Sequence, residues 1–201
     1  FSDLFVSSNG NVNFTGPFTE FSNQPIPFSA ISTLVVPFWD DLFPVAGNAQ
    51  NVFWAVVGSP PNRELVVEWR NVRQFPCRSD SSATVQFQVV FFEGSSDILF
   101  NYADALFGGG CTLADGGGSA SVGVQVASNR GTQFSFNTQS LNNNFALLWS
   151  LETGGDNDLT APIAGLVTPS NSRYGNFVDS PFDLSTSFTD NESAVTSCEY
   201  T

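Results

Sequence analysis

Carboxylates are the side chains of this sequence most able to do chemistry, and they form two short clusters. In the first, Asp40 and Asp41 directly follow a continuous apolar run. Calcium takes about six to eight hard oxygen ligands, so this pair could bind it only with help from Asp3 or backbone carbonyls. The alternative, which we favour for Asp40, is that its carboxylate caps a turn by accepting hydrogen bonds from loop N–H groups.

The second cluster, Asp156, Asn157 and Asp158, follows two glycines and is the better calcium candidate. Its three oxygen-bearing side chains could hold a structural calcium ion that stiffens a joint between two domains. The cluster lacks the spacing of an EF-hand loop. A flexible, solvated linker is an equally good interpretation. We therefore expect either no cofactor or a structural calcium ion.

The usual catalytic bases are missing from the chain. It has no His and no Lys, which excludes Ser–His or Cys–His catalysis, imidazole metal ligands and Schiff-base chemistry. Glu93 and Asp97 resemble the carboxylate pair of a glycosidase. They flank a predicted hairpin turn, however, where such residues are expected for conformational reasons. We expect no enzymatic activity.

The charge balance also limits the possible partners. The six basic residues are all Arg, and the formal net charge is −13. Binding to nucleic acid requires a basic patch, so we expect no nucleic-acid partner. Strong acidity suits a saline or calcium-rich exterior, although it could simply keep the protein in solution. No apolar run approaches the roughly 20 residues of a membrane span, so we expect no membrane insertion.

Cysteine usage favours an oxidising compartment. Cys77 and Cys111 fall in predicted loops without CxxC spacing, and a disulfide between them is the simplest interpretation. It would close a loop of about 34 residues and stabilise the fold by about 3–4 kcal/mol. Two reduced, buried thiols are the alternative. Cys198 is left over, with a partner beyond Thr201, in another chain, or none.

Two N-glycosylation sequons begin at Asn13 and Asn191. They matter only in a host that has the glycosylation machinery. Asn13 lies on a predicted strand, which disfavours modification there. The chain begins at Phe1 without a Met, and we expect it to be a processed or truncated piece of a longer, secreted precursor.

The elements that must position these groups are all predicted strands. The apolar run within Ile31–Leu42 predicts a strand buried on both faces, and Asn9-Gly10 predicts a hairpin turn. Thr15–Phe28 contains three prolines and predicts a surface loop. All four Trp lie on predicted strands and are expected in the core. The remaining predicted strands are Leu4–Ser7, Asn11–Phe14, Val52–Val57, Glu64–Val72, Ala83–Phe92, Asp97–Tyr102, Ala120–Ala127, Gln133–Phe136 and Ala146–Leu151.

Short strands with regular turns and no helical periodicity predict an all-β sandwich or barrel. Within Glu64–Val72, alternation places Leu65, Val67 and Trp69 on one side. The same alternation places Glu68 and Arg70 on the other side of this half-buried strand.

Five motifs occur in a familiar order: FVSSNGNVNF, STLVVPFWDDL, RELVVEWRNV, VQFQVVFFEGSSDILFNY and SVGVQ. In this order the sequence resembles the NIDO (nidogen-like extracellular) domain, and more closely its relatives in large bacterial and archaeal surface proteins. The resemblance covers Phe1–Leu151 and implies an extracellular β-sandwich of matrix, adhesion or cell-surface proteins that is not an enzyme. The resemblance implies no catalytic residues. The match at Trp39-Asp40-Asp41 implies only a structural signature of the fold.

The end of the chain differs in composition. We place the NIDO-like sandwich at residues 1–153, an acidic linker at 154–160, and a partial immunoglobulin-like segment at 161–201. The last segment is similar to the start of a bacterial immunoglobulin-like repeat, with predicted strands Ile163–Val167, Phe182–Ser187 and Ala194–Tyr200. Half a sandwich leaves open edges. The segment therefore continues past residue 201, packs on the first domain, or is completed by another chain.

These observations predict an extracellular structural or adhesive module at the cell surface, whose partners are other surface or matrix proteins or copies of itself. One alternative is a subunit of a homopolymeric filament, assembled when the C-terminal segment adds strands to the next copy. Another is an accessory domain of a larger secreted hydrolase.

Overall fold

A computed structural model describes residues 3–47 and 49–150 in full and, beyond them, the backbone of five short strands. The described chain is an all-β sandwich of two antiparallel sheets. This confirms the predicted fold class.

The first sheet has five strands in the order β1-β2-β3-β9-β10. Strands β1 and β2 form the predicted hairpin, in which Ser7 lies opposite Asn11. The apolar strand β3 occupies the centre of the sheet, because β2 pairs with one of its edges and β9 with the other. The strands are β1 (Phe5–Ser7), β2 (Asn11–Asn13), β3 (Leu34–Trp39), β9 (Ser121–Ala127) and β10 (Arg130–Phe136).

The second sheet follows the order β11-β8-β7-β6-β4, and β5 also pairs with β6. Two short 3₁₀ helices, Phe75–Cys77 and Asp115–Gly117, lie in the connecting loops. The strands are β4 (Leu42–Phe43), β5 (Asn51–Val57), β6 (Glu64–Gln74), β7 (Thr84–Phe92), β8 (Ile98–Asp104) and β11 (Phe145–Trp149).

Beyond residue 150 the structure describes five short strands. Strand β12 pairs with β15, and β14 pairs with both β13 and β16. The predicted linker and the immunoglobulin-like interpretation of this part of the chain lie outside the fully described residues. The strands are β12 (Ile163–Ala164), β13 (Thr168–Pro169), β14 (Leu184–Thr186), β15 (Phe188–Thr189) and β16 (Cys198–Glu199).

Aromatic rings fill the space between the two sheets. Phe38 of the first sheet stacks on Phe87 of the second, with ring centroids 5.3 Å apart, and Phe87 stacks on Trp69 at 5.0 Å. Such pairs contribute about 0.5–1.5 kcal/mol beyond the burial of their area. The polar tips of the buried rings also find partners across the core. The Trp69 Nε1–H donates to Ser7 O at 3.0 Å, and the Tyr102 hydroxyl donates to Pro37 O at 2.7 Å.

Strand β3 is buried on both faces, as its unbroken apolar run predicts. Val35 and Phe38 belong to the core between the sheets. Trp39 lies on the opposite face, where Phe18 and Phe28 pack against it at centroid distances of 5.4 and 5.7 Å. The predicted surface loop therefore has a structural role, because its aromatic side chains cover the outer face of the first sheet.

The apolar run within Ile31–Leu42 forms β3, which ends at Trp39 just before the two carboxylates, and β4 begins at Leu42 in the other sheet. One detail differs from the sequence-based expectations. Trp54, expected in the core, is 72% exposed. Its strand β5 lies at the edge of the second sheet. Trp54 lies opposite the core residue Val67, but at this edge its side chain extends past the core into solvent.

Gly10 provides a sharp test of this packing. Its φ is +70°, and a Cβ at this position would lie 1.8 Å from the carbonyl oxygen of Phe38. We expect Gly10→Ala to lower the free energy of unfolding by at least about 2 kcal/mol, because left-handed strain adds to a clash with backbone. Urea unfolding would measure this loss.

Gly94→Ala is the matched control. Gly94 also has a positive φ, +76°, but no atom lies within 4 Å of the point that a Cβ would occupy there. It should cost only the conformational strain, about 1 kcal/mol. Equal losses in the two variants would contradict the close approach of the β1–β2 turn to β3.

Candidate functional site

The corner between β3 and β4 brings together the acidic residues of the first cluster. Asp40 is buried, and its Oδ1 accepts a hydrogen bond from the Asp41 N–H at 2.8 Å. Its Oδ2 accepts hydrogen bonds from Gln74 Nε2 at 3.0 Å and from the Ser119 hydroxyl at 2.6 Å. The carboxylate therefore ties the end of β3 to the end of β6 and to the loop before β9.

The electrostatics of the corner result from burial opposed by hydrogen bonding. Burial raises the pKa of Asp40, while hydrogen bonds from Ser119, the Asp41 N–H and Gln74 act in the opposite direction. Burial also raises the pKa of Asp41, and the Arg78 guanidinium lowers it. Because three donors converge on Asp40, this arrangement can hold the corner in one conformation.

The Asp40 carboxylate is engaged by the protein itself. Both of its oxygens accept hydrogen bonds from protein donors, and two adjacent carboxylates alone supply fewer than the roughly six to eight oxygens that calcium takes. No group of three or more His, Cys, Asp or Glu side chains suited to a metal occurs within residues 3–47 and 49–150. The other calcium candidate, Asp156, Asn157 and Asp158, lies outside the described residues.

A disulfide joins Cys77 to Cys111, as predicted, with the Cα atoms 6.1 Å apart. It connects the loop after β6 to the glycine-rich loop after β8. Arg73 reinforces this loop by donating to Arg78 O at 2.8 Å. The disulfide and the Asp40 hydrogen bonds thus fix neighbouring loops of the second sheet. Cys198 lies in β16, and its side chain is outside the described part of the chain.

Strand β5 presents a different kind of site, an open sheet edge. It pairs with β6 alone among the described strands, so half of its backbone N–H and C=O groups point away from the sheet. Trp54 and Val56 lie two residues apart on one face of the strand and are 72% and 54% exposed. The seven residues Asn51–Val57 contain no charge and no proline, the features that usually protect an edge.

Comparison with known protein families gives a match over most of the chain. Residues 1–168 match the protein family described as NIDO related. The chain belongs to the NIDO-related family. No curated protein and no solved structure shows significant similarity to it. The family match includes residues 154–160 and continues to residue 168, beyond the end of β12.

The first sequon of this NIDO-related chain lies in a buried turn. Asn13 is buried, and its Oδ1 accepts hydrogen bonds from the N–H groups of Thr15 and Gly16 at 3.1 and 3.0 Å. The side chain closes the turn after β2, and its burial disfavours a glycan there, as does its position on a strand. The second sequon, at Asn191, lies outside the described residues.

Glu93 and Asp97 serve the β7–β8 turn. Glu93 receives two hydrogen bonds from the Arg63 guanidinium, at 2.9 and 2.5 Å, and one from the Arg63 N–H at 3.1 Å. The Asp97 N–H donates to Ser95 Oγ at 3.0 Å. Both residues thus have conformational contacts of the kind expected in a turn.

Sequence analysis missed a charged pair on the outer face of the second sheet. Glu68 is fully buried, and its Oε2 accepts a hydrogen bond from Arg70 Nε at 2.8 Å. Gln86 and Gln88 donate to the Glu68 Oε1 at 3.0 and 3.3 Å. The signal in the sequence is the spacing of Glu68 and Arg70, which places opposite charges two residues apart on one face of a strand.

The Arg63–Glu93 pair predicts a measurable titration. Hydrogen bonds from Arg63 lower the pKa of Glu93 from its ordinary 4.5 to about 2. Because the folded-state pKa is depressed, the pair's contribution to stability is present above pH 4.5 and is lost as the pH falls towards 2. NMR titration of the Glu93 carboxyl carbon should therefore give a pKa near 2.

Arg63→Gln is the control for this titration. It removes the guanidinium and should return the pKa of Glu93 towards 4.5. A wild-type pKa that is already near the ordinary value, or one that Arg63→Gln leaves unchanged, would contradict the paired geometry.

Proposed function

We propose that this NIDO-related chain is an extracellular, non-enzymatic structural module that associates with surface or matrix proteins, or with copies of itself, through strand addition at the β5 edge. The observation that carries the proposal is the exposed, uncharged strand Asn51–Val57. An extended segment placed beside β5 would complete its backbone hydrogen bonds and cover Trp54 and Val56.

Two features support an extracellular location. The family is typical of extracellular modules. The Cys77–Cys111 disulfide suits an oxidising compartment, since cytosolic thiols are kept reduced. No helix among the described residues is long and apolar enough to cross a membrane.

The other strand edges of the described sheets explain why β5 stands out. Strand β1 has only three residues, and β10 begins with Arg130 and is largely polar. Strand β11 is apolar, but its residues Ala146, Leu147 and Trp149 are buried. Strand β5 is both long and exposed, which is the combination that natural proteins avoid unless another chain covers the edge.

A second copy is a suitable occupant because β5 is complementary to itself. In an antiparallel pair centred on Trp54, Val52 would lie opposite Val56 and Phe53 opposite Ala55. No like charges would meet, since the strand has none. Such a pair is two-fold symmetric and closes as a dimer, so a filament would require a further contact surface.

The proposal predicts concentration-dependent association of the full chain. Sedimentation velocity should show its mass rising towards twice that of one chain as the concentration increases. Trp54→Thr combined with Val56→Thr should abolish this rise while preserving the strand, because Thr favours β-structure but offers little apolar area.

Leu113→Thr is the matched control, since Leu113 is strongly exposed but lies in the glycine-rich loop rather than on β5. This variant should associate like the wild type. Loss of association in Leu113→Thr, or identical behaviour of the wild type and the β5 variant, would argue against the β5 edge.

A further inference from the structure

The outer face of the second sheet, which points away from the first sheet, carries an apolar row. Val66 lies opposite Val90, and Val90 lies opposite Leu99, on the adjacent strands β6, β7 and β8. Their sequence neighbours Val67, Val89 and Phe100 point into the core between the sheets, so this row must point outward. Even so, Val66 is only 2% exposed and Val90 only 1%.

The next row on this face is polar, and two of its residues, Glu68 and Asn101, are at most 1% exposed. Glu68 lies opposite Gln88, and Gln88 lies opposite Asn101. Both amide atoms of Asn101 and the Oε1 of Gln88 are buried, with no hydrogen-bond partner among the described residues. A buried polar atom left without a partner destabilises the fold. The row therefore presents donors and acceptors that suit another polar segment lying across it.

The described residues do not supply a cover for this face. Among the residues that the structure describes in full, the apolar cluster of Val66, Val90, Leu99 and Ala146 is completed only by other residues of the same sheet, such as Leu148. The loop before β3 covers the first sheet instead. Side chains on one sheet face shield the flanks of their neighbours but leave the outer ends open, so burial this deep requires a further layer.

The chain itself can provide that layer. It leaves the described sandwich after β11, which is the edge strand of this same sheet, and β12 contacts β11. Residues 151–201 contain Phe177, Phe182 and Phe188, together with many Ser, Thr and Asn residues that can meet unpaired amides. The match to the NIDO-related family also extends into this segment, to residue 168.

We propose that residues 151–201 pack in cis across the outer face of the second sheet, over the rows of Val66 and Glu68. The segment is then a third layer of the same structural unit. When these C-terminal strands pack on their own chain, they are not available for strand addition to another copy. The inference does not depend on association through β5.

The experiment uses the full chain, folded before it is cut. A recognition sequence for a site-specific protease is inserted between Gly154 and Gly155, and Cys198→Ser prevents any covalent link. Trp54→Thr and Val56→Thr are included to prevent association through β5. After cleavage, size-exclusion chromatography with light scattering should show both fragments together, at the mass of one chain.

Two matched substitutions locate the contact. Val90→Glu places a charge on the buried outer face and should release residues 155–201 after cleavage. Val126→Glu places the same charge at a partly exposed position of β9 and should leave the fragments together. Peptide mapping of the Cys77–Cys111 disulfide and the near-UV circular dichroism spectrum test whether each variant remains folded. The cleaved parent chain, which has neither substitution, tests directly whether residues 155–201 stay bound to the sandwich.

Three results would overturn the proposal. The fragments of the cleaved parent chain could separate. They could stay together only at twice the mass of one chain, which would show exchange between copies. Alternatively, a folded Val90→Glu chain could retain its C-terminal fragment as firmly as Val126→Glu does.

Discussion

The chain passes from one sheet to the other at Asp40 and Asp41, and the rest of the sandwich depends on this corner. Before it, β3 places Phe38 in the core and Trp39 beneath the covering loop. After it, β4 pairs with the end of β6. The buried Asp40 carboxylate satisfies donors from β6, from the loop before β9 and from the corner itself. Because the Asp40 carboxylate accepts hydrogen bonds from three parts of the chain at once, it fixes the position of the first sheet relative to the second at this corner.

This arrangement gives the two adjacent acids that follow an apolar strand a structural role. Taking the Asp40 carboxylate out of water is costly, and burial accordingly raises its pKa. Hydrogen bonds from Ser119, the Asp41 N–H and Gln74 offset this cost. The exposed apolar side chains of Trp54 and Val56 lie elsewhere, on the edge strand β5 of the second sheet.

Much of the fold could be predicted from the sequence because its determinants are local. An unbroken apolar run indicates two-sided burial of β3, and Asn9-Gly10 indicates a hairpin because Gly10 adopts a positive φ. The exposure of Trp54 could not be predicted, since alternation alone does not reveal which strand becomes an edge. The burial of Glu68 depends on which residues pack over the sheet face. A local sequence pattern does not reveal them. The exposure of Trp54 and the burial of Glu68 are both determined by contacts between residues that are distant in the sequence.

The sandwich combines a closed aromatic core with the exposed edge strand β5, and the four tryptophans report on both. The full chain can be labelled with 5-fluorotryptophan and studied by ¹⁹F NMR at a concentration where it is monomeric, in H₂O and in D₂O. The structure predicts a solvent isotope shift for Trp54, assigned by Trp54→Phe, and none for Trp39, Trp69 or Trp149, which are buried. A Trp54 signal without a shift, or a clear shift for Trp39 or Trp69, would contradict the account.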